Sequence, residues 1–324
     1  TNTNQWYNLK YTPSEKEFGV EESSVNKIKN VSTTYATSYS MTQVNTPLIM
    51  YDLKFIIKGG YWDGRIEMNN ISNDPKEEQI SHSIFNIYGG GITEMGWSKK
   101  ERFLICGTKE GFLITYFINN KELELKNNLF IHSEPIISIS VNDVLNMFAT
   151  SSKDGYIMIY TIPSFNLVRS IYIPSQFNAE NEFLYADKVI LSSYPLACIV
   201  LFISQRKLFR VYTINGGFIC DINETENSKN IKCYKVFTDI DYQDYLIYGT
   251  DDGYVKIRKF PYMELINKVI PFKIAENDDK GKPIEIICLS KDLKYCFAYS
   301  SGNEIAVISD PSTSGIKTIK NSNK

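Results

Sequence analysis

Short apolar runs, each preceded by a polar turn that ends in glycine, recur along the chain. The clearest copies are "ICGTKEGFLITYFI" from Ile105, "ATSSKDGYIMIYTIPSF" from Ala149 and "IYGTDDGYVKIRKFP" from Ile247, and a weaker copy is "KGGYWDGRIEMNNI" from Lys58. The turn glycines Gly64, Gly111, Gly155 and Gly253 are 47, 44 and 98 residues apart, and the last spacing is close to two periods. A period of about 40 to 50 residues indicates a repeat fold.

The double spacing predicts a hidden copy between Gly155 and Gly253. The segment "FISQRKLFRVYTING" fits, with Lys207 in the place of the glycine and Leu208 to Thr213 as the apolar run. A sixth copy, "AYSSGNEIAVISDP", lies near Asn303. Six repeats are therefore visible from their period.

The clearest repeat predicts four short antiparallel strands. These are Pro135–Val141, Leu145–Ser151, Tyr156–Ile162 and Leu167–Ile173, with Asp154 and Gly155 in the turn between the second and third. The third strand is apolar at nearly every position, which indicates that both faces of the sheet are covered. A repeated four-stranded sheet that is buried on both faces is typical of a β-propeller blade.

We therefore predict an all-β fold, a seven-bladed β-propeller of four-stranded antiparallel blades that forms one domain over residues 1–324. Six blades follow from the period, and the seventh is expected to come from weaker sequence. Residues 1–48 are expected to contribute to ring closure, because an unpaired edge in a buried sheet leaves backbone groups without hydrogen bonds. Residues 311–324 are expected to form a flexible tail.

The composition argues against several classes of protein. There are 35 Lys and Arg residues against 37 Asp and Glu residues, so no broad positive field exists for nucleic acid or anionic lipid. The longest apolar run, "PLACIVLFI" from Pro195, is too short to cross a membrane and predicts buried β-structure, so no membrane insertion is expected. Six cysteines without a Cys-x-x-Cys pair predict a reducing, cytoplasmic environment.

The pattern of a histidine, a segment of about twenty residues, a small-residue cluster, an Asp-Gly turn and an apolar strand resembles the WD-repeat. The resemblance implies a hydrogen-bonded set of His, Ser or Thr, Asp and Trp in each blade. In this chain the Trp is replaced, by Tyr or by polar residues such as Arg258, so the repeats are degenerate. The positions that match the pattern are His82, His132, Thr150, Asp154, Tyr160, Tyr116 and Asp252.

More narrowly, "FIIKGGYWDGRIEM", "MFATSSKDGYIMIYTIPSFNLVRSI" and "RKLFRVYTINGGFI" resemble the C-terminal propeller of BEACH-domain proteins of the beige and neurobeachin type. The resemblance covers residues 55–310. It implies a protein-interaction scaffold within a large cytosolic protein that acts in vesicle or membrane trafficking. It also implies a preceding BEACH domain in the same chain, and peripheral association with vesicle or organelle membranes through the parent protein.

Three candidate chemistries are weaker than their structural alternatives. "GITEMGWS" from Gly91 mimics a phosphate-binding loop, but Trp97 stands where that loop needs lysine. His82 and His132, the only histidines, fit the blade pattern better than a hydrolytic triad. The carboxylates in 276–279 are typical of a solvated loop rather than of a cation site. From these three comparisons no catalytic residue, cofactor or metal is expected.

The alternative is an enzymatic propeller, a hydrolase with a carboxylate site in the central channel.

The residue just before each turn acid is expected to project from one face of the propeller. These residues are Trp62, Lys109, Lys153 and Asp251, with Gln205 in the hidden repeat. Tryptophan is enriched at interface centres, so this face predicts a patch that binds proteins or partly acidic peptides. The structural alternative is that Trp62 packs against the neighbouring blade. The isolated domain is expected to be a monomer.

Overall fold

The computed structural model describes residues 48–50, 55–59, 65–70, 81–85, 90–119, 122–173, 184–224, 230–274, 281–290, 292–300, 304–309 and 318–320. All of them belong to the compact unit Asn45–Lys324. They form β-strands joined by turns, together with one short 3-10 helix at Ser204–Arg206. No helix in these segments is both long and apolar enough to span a membrane.

Twenty-four strands lie in the described segments. In the first three sheets they are β1 (Leu48–Met50), β2 (Phe55–Lys58), β3 (Arg65–Asn70), β4 (Ser81–Phe85), β5 (Ile92–Ser98), β6 (Phe103–Thr108), β7 (Phe112–Asn119), β8 (Glu122–Phe130), β9 (Ile136–Asn142), β10 (Met147–Ser152), β11 (Tyr156–Thr161) and β12 (Leu167–Tyr172). The remaining strands are β13 (Lys188–Ser192), β14 (Cys198–Ile203), β15 (Leu208–Thr213), β16 (Phe218–Asn223), β17 (Ile231–Thr238), β18 (Asp244–Thr250), β19 (Val255–Lys259), β20 (Glu264–Val269), β21 (Ile284–Leu289), β22 (Tyr295–Ser300), β23 (Ile305–Ser309) and β24 (Thr318–Lys320).

Each set of four consecutive strands forms one antiparallel sheet, which we call a blade and number in chain order. The third blade, β9–β12, matches the four strands predicted from sequence to within two residues at each end. Gly155 lies in its β10–β11 turn with φ +81°, where a Cβ would come 3.0 Å from the carbonyl oxygen of Leu184. In the fourth blade Lys207 takes the same left-handed conformation, with φ +51°, so the hidden repeat is confirmed.

A register shift recurs where the third and fourth strands of a blade pair. It falls at Tyr116, Tyr160, Tyr212 and Arg258 in the second to fifth blades. Three of these four positions are the ones that the sequence pattern assigned to the replaced tryptophan. The repeat is therefore preserved in backbone geometry although its side chain has changed.

Hydrophobic cores lie between consecutive blades rather than within them. Five clusters of buried residues are formed, and each combines side chains from two neighbouring blades. The first strands of consecutive blades also contact one another, as β5 does with β9 and β9 with β13. This arrangement confirms an all-β propeller of four-stranded blades, with the first strands innermost.

The prediction of seven blades is wrong, because the described residues form six four-stranded sheets. The first and last of these, β1–β4 and β21–β24, are each built from consecutive strands, so neither combines strands from the two chain ends. The seventh blade was expected from weaker sequence, without a seventh copy of the repeat. The period alone gave the observed number. The predicted tail, 311–324, contains β24, which pairs with β23.

Side-chain hydrogen bonds join the innermost strands of neighbouring blades. Thr93 donates to the carbonyl of Ile136, and Ser138 and Ser140 accept from backbone N–H groups of β13. The Tyr234 hydroxyl donates to the carbonyl of Val189 at 3.2 Å. Polar side chains on the inner strands are thus used to hold the blades together. The six cysteines are free thiols, and Cys106, Cys198 and Cys296 are among the buried ones.

Candidate functional site

The turns between the second and third strands form one loop face of the propeller, called here the Lys153 face. Each of the three described glycine turns is anchored in the same way, because the residue before the turn acid donates its backbone N–H to a carbonyl ahead of the first strand. The pairs are Lys109 with Gly91 at 2.9 Å, Lys153 with Pro135 at 3.2 Å and Asp251 with Asn230 at 3.2 Å. The side chains of Lys109 and Lys153 are exposed, as is that of Gln205 in the fourth blade.

A buried histidine holds the third blade's turn in place. His132 Nδ1 lies 3.0 Å from Asp154 Oδ2, and His132 Nε2 lies 2.9 Å from Thr150 Oγ1. Since a carboxylate only accepts, Nδ1 donates to Asp154, and a neutral ring then accepts the Thr150 hydroxyl proton at Nε2. Asp154 also accepts from the backbone N–H groups of Ser133 and Tyr156. The three groups are arranged to fix a turn, and no nucleophile is exposed among them.

The environment of Asp154 favours its charged form. Burial raises the pKa of this carboxyl, but the hydrogen bonds from His132, Tyr156 and Ser133 outweigh burial and leave the pKa below its ordinary value. A carboxylate with a lowered pKa in the folded state stabilises the fold above its unfolded pKa, and this stabilisation is lost as the pH falls.

Asp154→Asn is expected to lower the free energy of unfolding by about 1.5–3 kcal/mol at neutral pH, because charge-assisted hydrogen bonds are lost. Denaturant unfolding of wild type and Asp154→Asn at neutral and acidic pH measures the difference in their free energies of unfolding. This difference should become smaller at acidic pH. The exposed Asp241→Asn is the control. A difference that stays constant with pH would show that the charge of Asp154 is not what stabilises the turn.

The other predicted blade positions are only partly brought together. In the fifth blade the Thr250 hydroxyl donates to the Asp252 carboxylate, and Asn230 Nδ2 donates to Asp251 at 3.3 Å, so an asparagine lies where the third blade has its histidine. His82 lies within strand β4, paired with Met68, and not in the loop before β5. Trp62 lies outside the described residues.

The two tyrosines in the tryptophan position lie in the cores between blades. Tyr116 is buried among side chains of the first and second blades. Tyr160 is 7% exposed and stacks on Phe148, with ring centroids 5.3 Å apart. Their burial raises the pKa of both hydroxyls. These residues pack blades together and do not reach the Lys153 face.

A buried charge cluster joins the fourth and fifth blades, and sequence analysis did not find it. Glu224, which follows β16, accepts from Lys256 Nζ at 2.5 Å, from Arg258 Nη2 at 2.9 Å and from the Tyr248 hydroxyl at 2.9 Å. Arg258 Nη1 also donates to the carbonyl of Met263. Burial raises the pKa of Glu224, but the two cations outweigh it and the pKa is lowered. The available signal was a pair of cations, Lys256 and Arg258, inside a run that has no charged residue in the second and third repeats.

On the opposite face, aspartates link the turns between the first and second strands of neighbouring blades. Asp143 accepts from the Ser98 hydroxyl at 2.6 Å and from the backbone N–H groups of the two lysines that follow Ser98. Two repeats later, Asp244 accepts from the Ser192 hydroxyl at 2.7 Å and from the next two backbone N–H groups. The recurrence of Asp143 and Asp244 two periods apart was a sequence signal that went unused.

The inner strands contain little that could act on a substrate. Glu94 on β5 is partly buried, which raises the pKa of its carboxyl, and Lys188 opposes that rise. Within the described segments no group of three His, Cys, Asp or Glu side chains is placed to hold a metal ion. The candidate carboxylates in 276–279 lie outside those segments.

Comparison with solved structures identifies the architecture. The chain superimposes on the structure titled "Structure of U3-55K" with a TM-score of 0.67 and 11% identity, covering 86% of this chain and 81% of that one. It superimposes on the "Crystal structure of RRP9 WD40 repeats" with a TM-score of 0.66 and 10% identity, covering 86% and 80%. The chain has the WD40 β-propeller fold. No protein-family profile matches it.

Curated relatives match only part of the WD40 propeller. Eukaryotic translation initiation factor 3 subunit I of Saccharomyces cerevisiae is 28% identical over 88 residues, which are 27% of this chain and 24% of that protein. DmX-like protein 1 of Mus musculus is 26% identical over 87 residues, which are 26% of this chain and 3% of that protein. The matched segment is thus about a quarter of the first relative and a small part of the second.

Proposed function

We propose that this WD40 propeller is a non-catalytic scaffold that binds protein partners through the Lys153 face. The observation that carries the proposal is a contrast within two turns of that face. The backbones of Lys109 and Lys153 are hydrogen-bonded to the neighbouring loop, while their side chains are exposed. Rigid turns that present free side chains lose little conformational entropy on binding, which is what a docking surface requires.

The chemistry of the face favours a partly acidic peptide. Lys109 and Lys153 stand at the same end of neighbouring blades, and Trp62 belongs to the equivalent turn of the first blade by sequence. The two exposed cations suit a ligand that carries carboxylates, and such binding weakens as salt rises.

The resemblance to BEACH-type propellers extends the proposal to a cellular role. The propeller is then one module of a large cytoplasmic protein in vesicle or membrane trafficking, positioned beside a BEACH domain of the same chain. The support for this part is the resemblance of the three motifs quoted above, which lie within residues 55–310.

A hydrolase with a carboxylate site in the channel is the second candidate, and Glu94 is the observation that favours it. A carboxyl whose pKa is raised by burial can act as a general acid. Glycoside hydrolysis needs a second carboxylate opposite the first. Among the described inner strands the other carboxylate is Glu285 on β21, which is paired with Lys232 at 4.0 Å. A screen of glycosidase and esterase substrates with the purified chain and its Glu94→Gln variant separates the two candidates.

Charge reversal of the Lys153 face is expected to abolish partner binding. Lys109→Glu/Lys153→Glu and, separately, Trp62→Ala should each reduce the proteins captured by the immobilised chain by at least about tenfold, a loss of about 1.4 kcal/mol. Quantitative mass spectrometry of the captured proteins measures the loss, and wild-type capture should decline with added salt.

The matched control is Lys126→Glu/Lys294→Glu, which reverses the same number of exposed charges outside the face. Thermal unfolding should be the same for all variants. Capture that is equal for wild type and both Lys153-face variants would place the partner site elsewhere on the propeller.

A further inference from the structure

Exposed apolar side chains gather on the face opposite the Lys153 face. Ile240 is 93% exposed, Tyr242 67%, Tyr262 62% and Leu196 45%. With Val144, which is also exposed, these residues form what we call the Tyr242 patch. They lie in the β9–β10, β13–β14, β17–β18 and β19–β20 turns. In each blade, the turn between the first and second strands and the turn between the second and third strands lie at opposite ends of the second strand. Most of the Tyr242 patch therefore lies on the face opposite the Lys153 face.

Direct contacts join these four turns into one surface. The Ser193 hydroxyl donates to Asn142 Oδ1 at 2.9 Å, which links the β13–β14 turn to the β9–β10 turn. Asp244 binds the β13–β14 turn from the fifth blade, and the Tyr194 and Tyr242 rings meet edge to face at 5.4 Å.

The β17–β18 turn is fixed from within and from its own blade. Gln243 Nε2 donates to the carbonyl of Phe260 at 2.8 Å, which ties this turn to the β19–β20 turn. Asp239 accepts from the backbone N–H groups of Asp241 and Gln243. The exposed side chains of the patch therefore stand on backbones that are already held in place, so little ordering is needed for another chain to pack on them.

The apolar side chains of the Tyr242 patch are in contact with water, and a bound partner would bury them. Single apolar side chains on a surface are ordinary, but clustered ones mark an interaction site. Tyrosine is among the residues that contribute most to binding at interface centres. Two exposed tyrosines beside a fully exposed isoleucine match that composition.

The charge around the patch identifies the kind of partner. The four turns, 142–146, 193–197, 239–244 and 259–264, carry one cation, Lys259, and five carboxylates, Asp143, Asp239, Asp241, Asp244 and Glu264. Asp143 and Asp244 bind neighbouring turns, and Asp239 caps its own turn. Asp241 and Glu264 are exposed. The basic β5–β6 turn adjoins the β9–β10 turn, where Lys100 Nζ donates to Asn146 Oδ1 at 2.7 Å, so the acidic part of the patch lies in the fourth and fifth blades.

We propose that the Tyr242 patch binds a basic protein segment that carries an aromatic or long aliphatic anchor. The anchor packs on Tyr242 and Ile240, and its flanking Lys or Arg side chains meet Asp241 and Glu264. The chain thus has a second interaction surface, of opposite charge preference to the Lys153 face.

Selection from a random dodecapeptide phage library against the immobilised full chain tests this proposal. Phage that also bind the Ile240→Ser/Tyr242→Ser variant are removed. The surviving peptides should be rich in Lys or Arg around an aromatic or leucine residue, and the variant should bind them at least about tenfold more weakly. Asp241→Lys/Glu264→Lys should also weaken the binding of these peptides, and added salt should weaken their binding to wild type.

The control variant is Leu167→Ser/Val168→Ser, which removes exposed apolar side chains from the outer strand β12 and should bind the peptides normally. Lys109→Glu/Lys153→Glu should also bind them normally, which separates this surface from the Lys153 face. Selection of acidic peptides would overturn the proposal. So would the recovery of no peptide that binds wild type more tightly than the Ile240→Ser/Tyr242→Ser variant. So would a wild-type dimer in sedimentation that the patch variant loses, because the occupant would then be a second copy of the chain.

Discussion

Glu224→Ala is expected to lower the free energy of unfolding by about 3–5 kcal/mol, which is a large part of the stability of an ordinary domain. The substitution leaves Lys256 and Arg258 buried between the fourth and fifth blades without their carboxylate. An uncompensated buried charge costs far more than the loss of an ion pair in water. Equilibrium denaturation of wild type and variant measures the loss.

A second substitution shows whether the cost comes from the stranded charges. Glu224→Leu combined with Lys256→Met and Arg258→Met removes all three charges and should recover most of the stability, since apolar replacement of a whole buried cluster is often neutral or better. The partly exposed pair of Arg210 and Asp221 is the matched control, and Asp221→Ala should cost under about 1 kcal/mol. A loss for Glu224→Ala as small as that control would show that the cluster is not held as described.

The same cluster predicts how stability depends on pH. The pKa of Glu224 lies below its ordinary value in the folded protein, so its contribution is present above the unfolded pKa and is lost as the pH falls through the folded pKa. Wild type should therefore lose stability on acidification more steeply than Glu224→Gln does. Equal pH dependence of the two proteins would contradict this assignment.

Tyr160→Ala is expected to lower the free energy of unfolding by about 3–5 kcal/mol, as large aromatic truncations in cores do. Its ring stacks on Phe148 in the core between the second and third blades. Because the cavity would open between two blades, both should lose stability together in denaturant unfolding.

Tyr156→Ala on the same strand is the control for Tyr160→Ala. Tyr156 is exposed and contacts Tyr172, so its truncation should cost much less than the core substitution. A loss below about 1 kcal/mol for Tyr160→Ala would mean that the register of β11 against β10 is wrong.

Local pattern was enough to predict the blades where the repeat was strong. The third blade's strands follow from alternating and apolar runs with Asp154 and Gly155 at the turn. Even the degenerate fourth blade was found from the double spacing and its apolar run, and Lys207 there takes the left-handed conformation that glycine usually supplies. The backbone geometry of a blade fixes the length of the repeat more strictly than it fixes the residues within it. The number of repeats could therefore be counted from the sequence.

The predicted number of blades was wrong because a seventh blade was added without a seventh copy of the repeat. The described residues form six sheets, which is the number of repeats visible in the sequence, and the first sheet is complete from β1 to β4. His82, which matches the repeat pattern by its spacing, lies in strand β4.

The interactions that sequence analysis missed all join different repeats. Glu224 meets Lys256 and Arg258 from a segment outside the periodic strands. The Tyr242 patch is assembled from turns of three blades, and only Tyr242 and Ile240 are close in sequence. A periodic pattern describes one blade at a time, so contacts between blades need coordinates.

Site-specific photocrosslinking from the Lys153 face tests the central claim, that this propeller binds proteins through these turns. A photoreactive amino acid is placed at position 153, or at position 168 on the outer strand β12 as a control, and the full chain is irradiated in a cell lysate. Protein adducts are expected from position 153, are suppressed by Lys109→Glu, and are not formed from position 168. Adducts from position 168 alone, or none from position 153, would contradict it.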